Sequence, residues 1–97
     1  MVKPDIVAKI HFYSEAEGGR NSPTPLDHLG CIFVYGGDNF ECRLLLQDIG
    51  PIAPGGQAMV PIKFLWPETK KRLHVGSRFN LREARIIAEG IVESISQ

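Results

Sequence analysis

The sequence predicts an all-β domain, and three observations carry that prediction. Ten Gly and seven Pro cut 97 residues into short apolar runs. The pairs Gly18-Gly19, Gly36-Gly37 and Gly55-Gly56 each lie between such runs, where turns belong. Several runs alternate apolar and polar residues with period 2, the pattern of a half-buried strand. The apolar fraction of 43% and the lack of a long polar tract indicate a folded chain. The length fits one domain, residues 1–97. A chain of this mass exposes about 5,500 Å² when folded, which allows one modest core and little room for a deep substrate cleft.

Asp5–Tyr13 is the first predicted strand, with Ile6, Ala8, Ile10 and Phe12 on one face. Cys31–Tyr35 is the next. Gly36-Gly37-Asp38-Asn39 supplies turn chemistry, and Phe40–Leu46 follows as its hairpin partner. Phe40, Cys42, Leu44 and Leu46 share a face. Pro51–Gly56 reads as a loop. Ala58–Leu65 then places Ala58, Val60, Ile62 and Phe64 together. Pro61 lacks an amide proton, so this strand needs an edge or a bulge. Trp66-Pro67 ends it. Arg78–Arg82 presents Phe79 and Leu81 on one side.

The last segment fits two patterns. Leu81, Ala84, Ala88, Ile91, Val92 and Ile95 fall at helical spacing, and Ala, Arg and Glu favour a helix. Gly90 and the Ile/Val residues between Ile86 and Val92 favour a strand. With period 2, Ile86, Ala88, Gly90 and Val92 lie on one face, and Ile87, Ile91 and Ile95 on the other.

Four motifs in order resemble the third domain of elongation factor Tu, the C-terminal β-barrel of that GTPase. An alternating strand runs into Glu17-Gly18-Gly19-Arg20 and a loop holding Pro23 and Pro25. Ile32-Phe33-Val34-Tyr35 stands at the family's aromatic-rich strand. Ala53-Pro54-Gly55-Gly56-Gln57 stands where the family has Met-Pro-Gly-Asp-Asn. Arg78-Phe79-Asn80-Leu81-Arg82-Glu83, followed by Gly90-Ile91-Val92, is similar to Arg-Phe-Ala-Ile-Arg-Glu and Gly-Val-Val. The resemblance covers roughly Ala8 to Ile95. It implies a six-stranded closed antiparallel barrel of Greek-key type, with the last segment as two strands broken near Ala84-Arg85.

The departures bear on function. This sequence contains no GTPase phosphate loop. The family's Gly-Gly after Arg-Glu is reduced to Ala84, and its Gly-Tyr-Arg-Pro-Gln becomes His28-Leu29-Gly30-Cys31. Family members grip the T-stem of aminoacyl-tRNA with those two regions. Delivery of aminoacyl-tRNA is therefore not implied here.

Charge argues against a dedicated nucleic-acid module, since 11 basic and 11 acidic residues cancel. The distribution is uneven. Residues 1–60 carry four basic and seven acidic side chains, and residues 61–97 carry seven and four. Lys70, Lys71, Arg72, Arg82 and Arg85 form the candidate RNA-binding set, joined by Arg78 and with Trp66 nearby. Zinc sites favour short ligand spacings, whereas Cys31 and Cys42 are eleven positions apart. His28 and Cys31 would supply only two ligands. Glu15 and Glu17 flank a turn, which reads as a solvated loop rather than acid–base chemistry. No Gly-Gly pair has a phosphate-binding form. No catalytic, cofactor or metal residues are assigned. Two cysteines, no signal-like start and no long apolar run predict a cytoplasmic protein with reduced thiols.

The remaining candidate is an apolar surface. If Ile86, Ala88 and Val92 face the barrel interior, Ile87, Ile91 and Ile95 face out, with Met59 and Leu65 beside them. The expected function is a non-catalytic protein-interaction module, with a protein partner or a second copy of the chain on that surface. RNA or tRNA binding through the basic set is the alternative.

Overall fold

The computed structural model describes residues 3–97. Its period-2 runs become six strands: β1 (Ile6–Phe12), β2 (His28–Tyr35), β3 (Asp38–Leu45), β4 (Gln57–Phe64), β5 (Arg78–Arg82) and β6 (Ile86–Ile95). A 3-10 helix, Pro67–Arg72, lies between β4 and β5. The ambiguous last segment is therefore strand, broken at residues 83–85.

The strands close into an antiparallel barrel in the order β1-β4-β3-β2-β5-β6. β2, β3 and β4 follow one another, and β5 returns to lie beside β2, which is a Greek key. The β2–β3 hairpin turns at Gly36 and Gly37, whose φ angles are 60° and 83°. Two successive positive φ values define the tight turn that matches strand twist, and glycine adopts them without steric cost.

The core is built from the predicted inward faces. Ile6, Ala8, Ile10 and Phe12 of β1 are buried, as are Cys42 and Leu44 of β3 and Val60, Ile62 and Phe64 of β4. Phe33 stacks on Phe79 at 4.1 Å between ring centroids and meets Phe64 edge-on at 4.9 Å. Such pairs add to the energy of burying the rings.

Pro61 sits in neither an edge strand nor a bulge. It pairs with Val7 of β1, inside a closed barrel. The Asp5 amide donates to the Ile62 carbonyl, so even-numbered residues of β4 direct their backbone groups toward β1. Leu65 donates to Glu41 of β3, so odd-numbered residues turn toward β3. The β3–β4 ladder spans only Ile62–Phe64. The missing amide proton of Pro61 thus faces the side where pairing has already ended.

The connections define two ends. The 3-10 helix covers the end where β1 begins, near Asp5. The loops 13–27 and 46–56 cover the end where β1 finishes. Seven residues of β1 separate them, about 20 Å at the rise of a strand.

Candidate functional site

The outward apolar stripe expected on β6 does not form, because two bulges reverse its pattern. Arg82 pairs with Ile86 and Leu81 with Ala88, so Ile87 is an extra residue. A bulge lets neighbouring residues leave strict alternation. Ile87 turns inward and is 2% exposed, while Ile86 turns out and is half-buried. At the other end, Val7 pairs with Ser94 and Ala8 with Val92, leaving Glu93 extra. Ile95 therefore stands opposite Ile6 and packs against the core. The expectation that Ile87 and Ile95 belong to a surface is corrected on this ground. Ile91 alone of the three faces out, half-buried between Lys9 of β1 and Arg78 of β5.

Met59 and Leu65 are exposed, at 49% and 58%. Leu65 follows the end of β4 and adjoins Trp66, which is 68% exposed. Their backbone is held. The Leu65 amide donates to Glu41 at 3.0 Å, and the Thr69 amide donates to the Trp66 carbonyl at 3.0 Å. Pro67 opens the 3-10 helix directly after Trp66. Two large apolar side chains are thus exposed at successive positions on hydrogen-bonded backbone. Sequence reasoning grouped Trp66 with the basic residues and missed it as part of an apolar surface. The signal was available, because Trp66-Pro67 marks the point where inward alternation stops.

The candidate RNA-binding residues are not brought together. Lys70, Lys71 and Arg72 lie on the 3-10 helix, at one end of the barrel. Lys70 is 3.9 Å from the buried Asp5 carboxylate, which Lys63 also approaches at 3.6 Å. Arg72 pairs with Asp38 at 2.9 Å and lies over the Phe40 ring at 5.1 Å. Lys71 is exposed and has no ion pair among the described residues. Arg82 and Arg85 flank the β5–β6 connection at the opposite end. Arg82 donates to the Glu83 carbonyl at 3.3 Å, and Arg85 to the Gly19 carbonyl at 3.0 Å. Neighbouring Glu83 pairs with Arg20 at 2.6 Å. Arg85 and Arg20 thus fasten the β5–β6 turn to the loop after β1, while Arg82 bonds within the turn.

Two further titratable groups, Glu17 and Tyr13, are held by hydrogen bonds. Ser14 and Glu17 form a reciprocal pair. The Ser14 amide donates to the Glu17 carboxylate at 2.8 Å, and the Glu17 amide to Ser14 Oγ at 3.2 Å. This is the bonding pattern of a capping box, here closing a turn. The backbone bond from Ser14 is the main cause of a Glu17 carboxyl lowered from its usual 4.5, followed by the Ser14 side chain. Tyr13 donates to Glu89 at 3.0 Å. Burial, reinforced by that carboxylate, raises the Tyr13 phenol above its usual 10.0. An open groove of about 710 Å³ crosses the outer face of β1, β6 and β5, bounded by Lys9, His11, Gln57, Arg78 and Glu89. Among the described residues, no group of three or more His, Cys, Asp or Glu side chains is placed to hold a metal. Among the same residues, no helix is long and apolar enough to cross a membrane.

No family model matches this sequence, and no curated protein matches it either.

Proposed function

We propose that the barrel is a non-catalytic protein-interaction module whose contact surface centres on Leu65 and Trp66. The observation that carries this reading is their adjacent exposure on hydrogen-bonded backbone. Clustered outward apolar side chains mark interaction surfaces, and Trp is enriched among residues that dominate binding energy. Met59 extends the surface along the outward face of β4, with Pro61 and Lys63 between. The four motifs resembling the translation-factor barrel support the reading by analogy of fold. In that family the domain packs against neighbouring domains.

The test compares two variants of the full chain, one double and one single. Leu65→Ser with Trp66→Ser removes the proposed surface. Leu26→Ser removes a side chain that is 68% exposed at the opposite end. Light scattering over a range of concentrations measures self-association, and capture from lysate measures other partners. The reading requires that the Leu65/Trp66 variant lose an association that the Leu26 variant keeps, with both melting as the parent does. Equal behaviour of the two variants, or a parent that stays monomeric and captures nothing, overturns it. An increase in mass identifies a second copy as the occupant, and loss of a captured chain identifies a different protein.

A further inference from the structure

We propose that Cys31 and Cys42 form a reversible disulfide site that exchanges with low-molecular-weight disulfides. The two residues stand directly opposite one another on β2 and β3. Both point into the core, and their Sγ atoms are 3.7 Å apart. Both are free thiols in the structure.

The register sets the geometry of closure. The Leu65 amide donates to Glu41, so the backbone groups of Glu41 face β4 and those of Cys42 face β2. Cys31 and Cys42 are thus a hydrogen-bonded pair, whose Cα atoms are about 5.5 Å apart. That separation lies within the range a disulfide spans. The Cβ atoms of facing residues are about 4.5–5.5 Å apart, while a disulfide prefers about 3.8 Å. Closing the bond draws β2 and β3 slightly together, and the resulting strain makes the bond easier to reduce. The hairpin already joins the two strands through a two-residue turn. The covalent loop spans only eleven positions, so it constrains the unfolded chain less than a long-range disulfide does.

The exchange uses a small disulfide such as oxidised glutathione. One cysteine, as thiolate, attacks a glutathione sulfur and releases one glutathione thiolate. The second cysteine, as thiolate, then attacks the mixed disulfide and releases the other. Two electrons pass from the protein to glutathione, and the two protein thiol protons end on the two released glutathiones. The hydrogen bond shared with Cys31, together with burial, pushes the Cys42 thiol up. Exchange in the closed barrel is accordingly slow, and exchange during refolding is fast.

The experiment refolds the full chain in oxidised glutathione and, separately, incubates the native chain in the same buffer. Acid quenching, alkylation of free thiols and mass spectrometry count the products. The expected product of refolding is a chain lighter by two hydrogens, carrying no glutathione and showing the native spectrum. The native chain should reach the same product many-fold more slowly, and millimolar reduced glutathione should reverse both. A Cys31→Ser chain, oxidised while unfolded, should retain one glutathione adduct, which shows that Cys42 is reachable. Refolded parent that carries glutathione adducts, keeps both thiols free or lacks the native spectrum overturns the proposal. None of these outcomes depends on the Leu65–Trp66 surface.

Discussion

The Phe79 ring occupies the space that a side chain at Gly90 would need. Gly90 faces Phe79 across the β5–β6 ladder, and a Cβ at residue 90 would lie 2.4 Å from the ring. The ring cannot swing clear, because it is buried and stacked on Phe33. Gly90→Ala is therefore an overpacking change and should destabilise the barrel by about 1–3 kcal/mol. Denaturant unfolding measures it. Adding Phe79→Leu should restore part of the loss by freeing the space. If the double variant is no more stable than Gly90→Ala, the contact is not the cause.

The bulges on β6 make neighbouring isoleucines respond very differently. Ile87→Gln places an amide in the core at a position only 2% exposed. The lost packing and the buried amide together should cost on the order of 3 kcal/mol. Ile91→Gln lies on the outer face and should cost less than about 1 kcal/mol. Thermal melting of the two variants side by side checks the inward turn of Ile87. Equal losses would return Ile87 to the outer face.

Strict alternation made most of this barrel legible. Ile6 to Phe12, Phe40 to Leu46 and Ala58 to Phe64 face as their spacing indicates, because hydrogen-bonded strands without bulges must alternate. The Gly36-Gly37 turn was legible for the same kind of reason, since its φ values demand glycine. Bulges carry no such local mark. Nothing in Ile86-Ile87 or Glu93-Ser94 announces an extra residue, so extending period 2 through them put Ile87 and Ile95 on the wrong face. The basic residues misled differently. Lys70 to Arg72 and Arg82 to Arg85 are close in sequence, but β5 runs the length of the barrel between them. Closure from β1 to β6 is a long-range relation that local pattern does not encode.

Asp5 ties the start of β1 to β4 and the 3-10 helix. Its carboxylate is buried, accepts the Phe64 amide at 2.9 Å and lies near both Lys63 and Lys70. Asp5→Ala leaves that amide without its partner and should cost about 1–3 kcal/mol. Lys63→Met and Lys70→Met each leave one cation in place and should cost less than Asp5→Ala. A set of unfolding curves checks the order. A lysine variant as damaging as Asp5→Ala would show that charge pairing, rather than the Phe64 bond, holds this corner.

Glu17 makes acid stability depend on one turn. Its folded carboxyl lies below the usual 4.5, chiefly through the Ser14 backbone bond. The unfolded chain therefore binds this proton more readily than the folded chain. The stabilisation is full above the ordinary carboxylate value and disappears as pH falls through the lowered one. Glu17→Gln abolishes that titration. The melting temperatures of parent and variant should differ most at neutral pH and converge below the usual glutamate range. A gap that stays constant down to strongly acidic pH would assign the Glu17 effect to something other than its charge.

The separation of the basic residues sets a ceiling on RNA binding. A strand lying on the 3-10 helix meets three cations, Lys70, Lys71 and Arg72, and two of these already pair with Asp5 and Asp38. Each phosphate neutralised on a single strand contributes about −0.7 to the slope of log affinity against log salt. Binding at this end alone should thus give a slope no steeper than about −2. Lys71→Gln should flatten it most, since Lys71 has no ion pair among the described residues. Fluorescence anisotropy with a labelled single-stranded RNA across salt concentrations measures the slope. A value near −4 would need about six phosphate contacts. That many requires one strand to reach Arg82 and Arg85 about 20 Å away, along the barrel and past Arg78. Such a slope, lost in Arg82→Gln with Arg85→Gln, would move the function from protein contact to RNA.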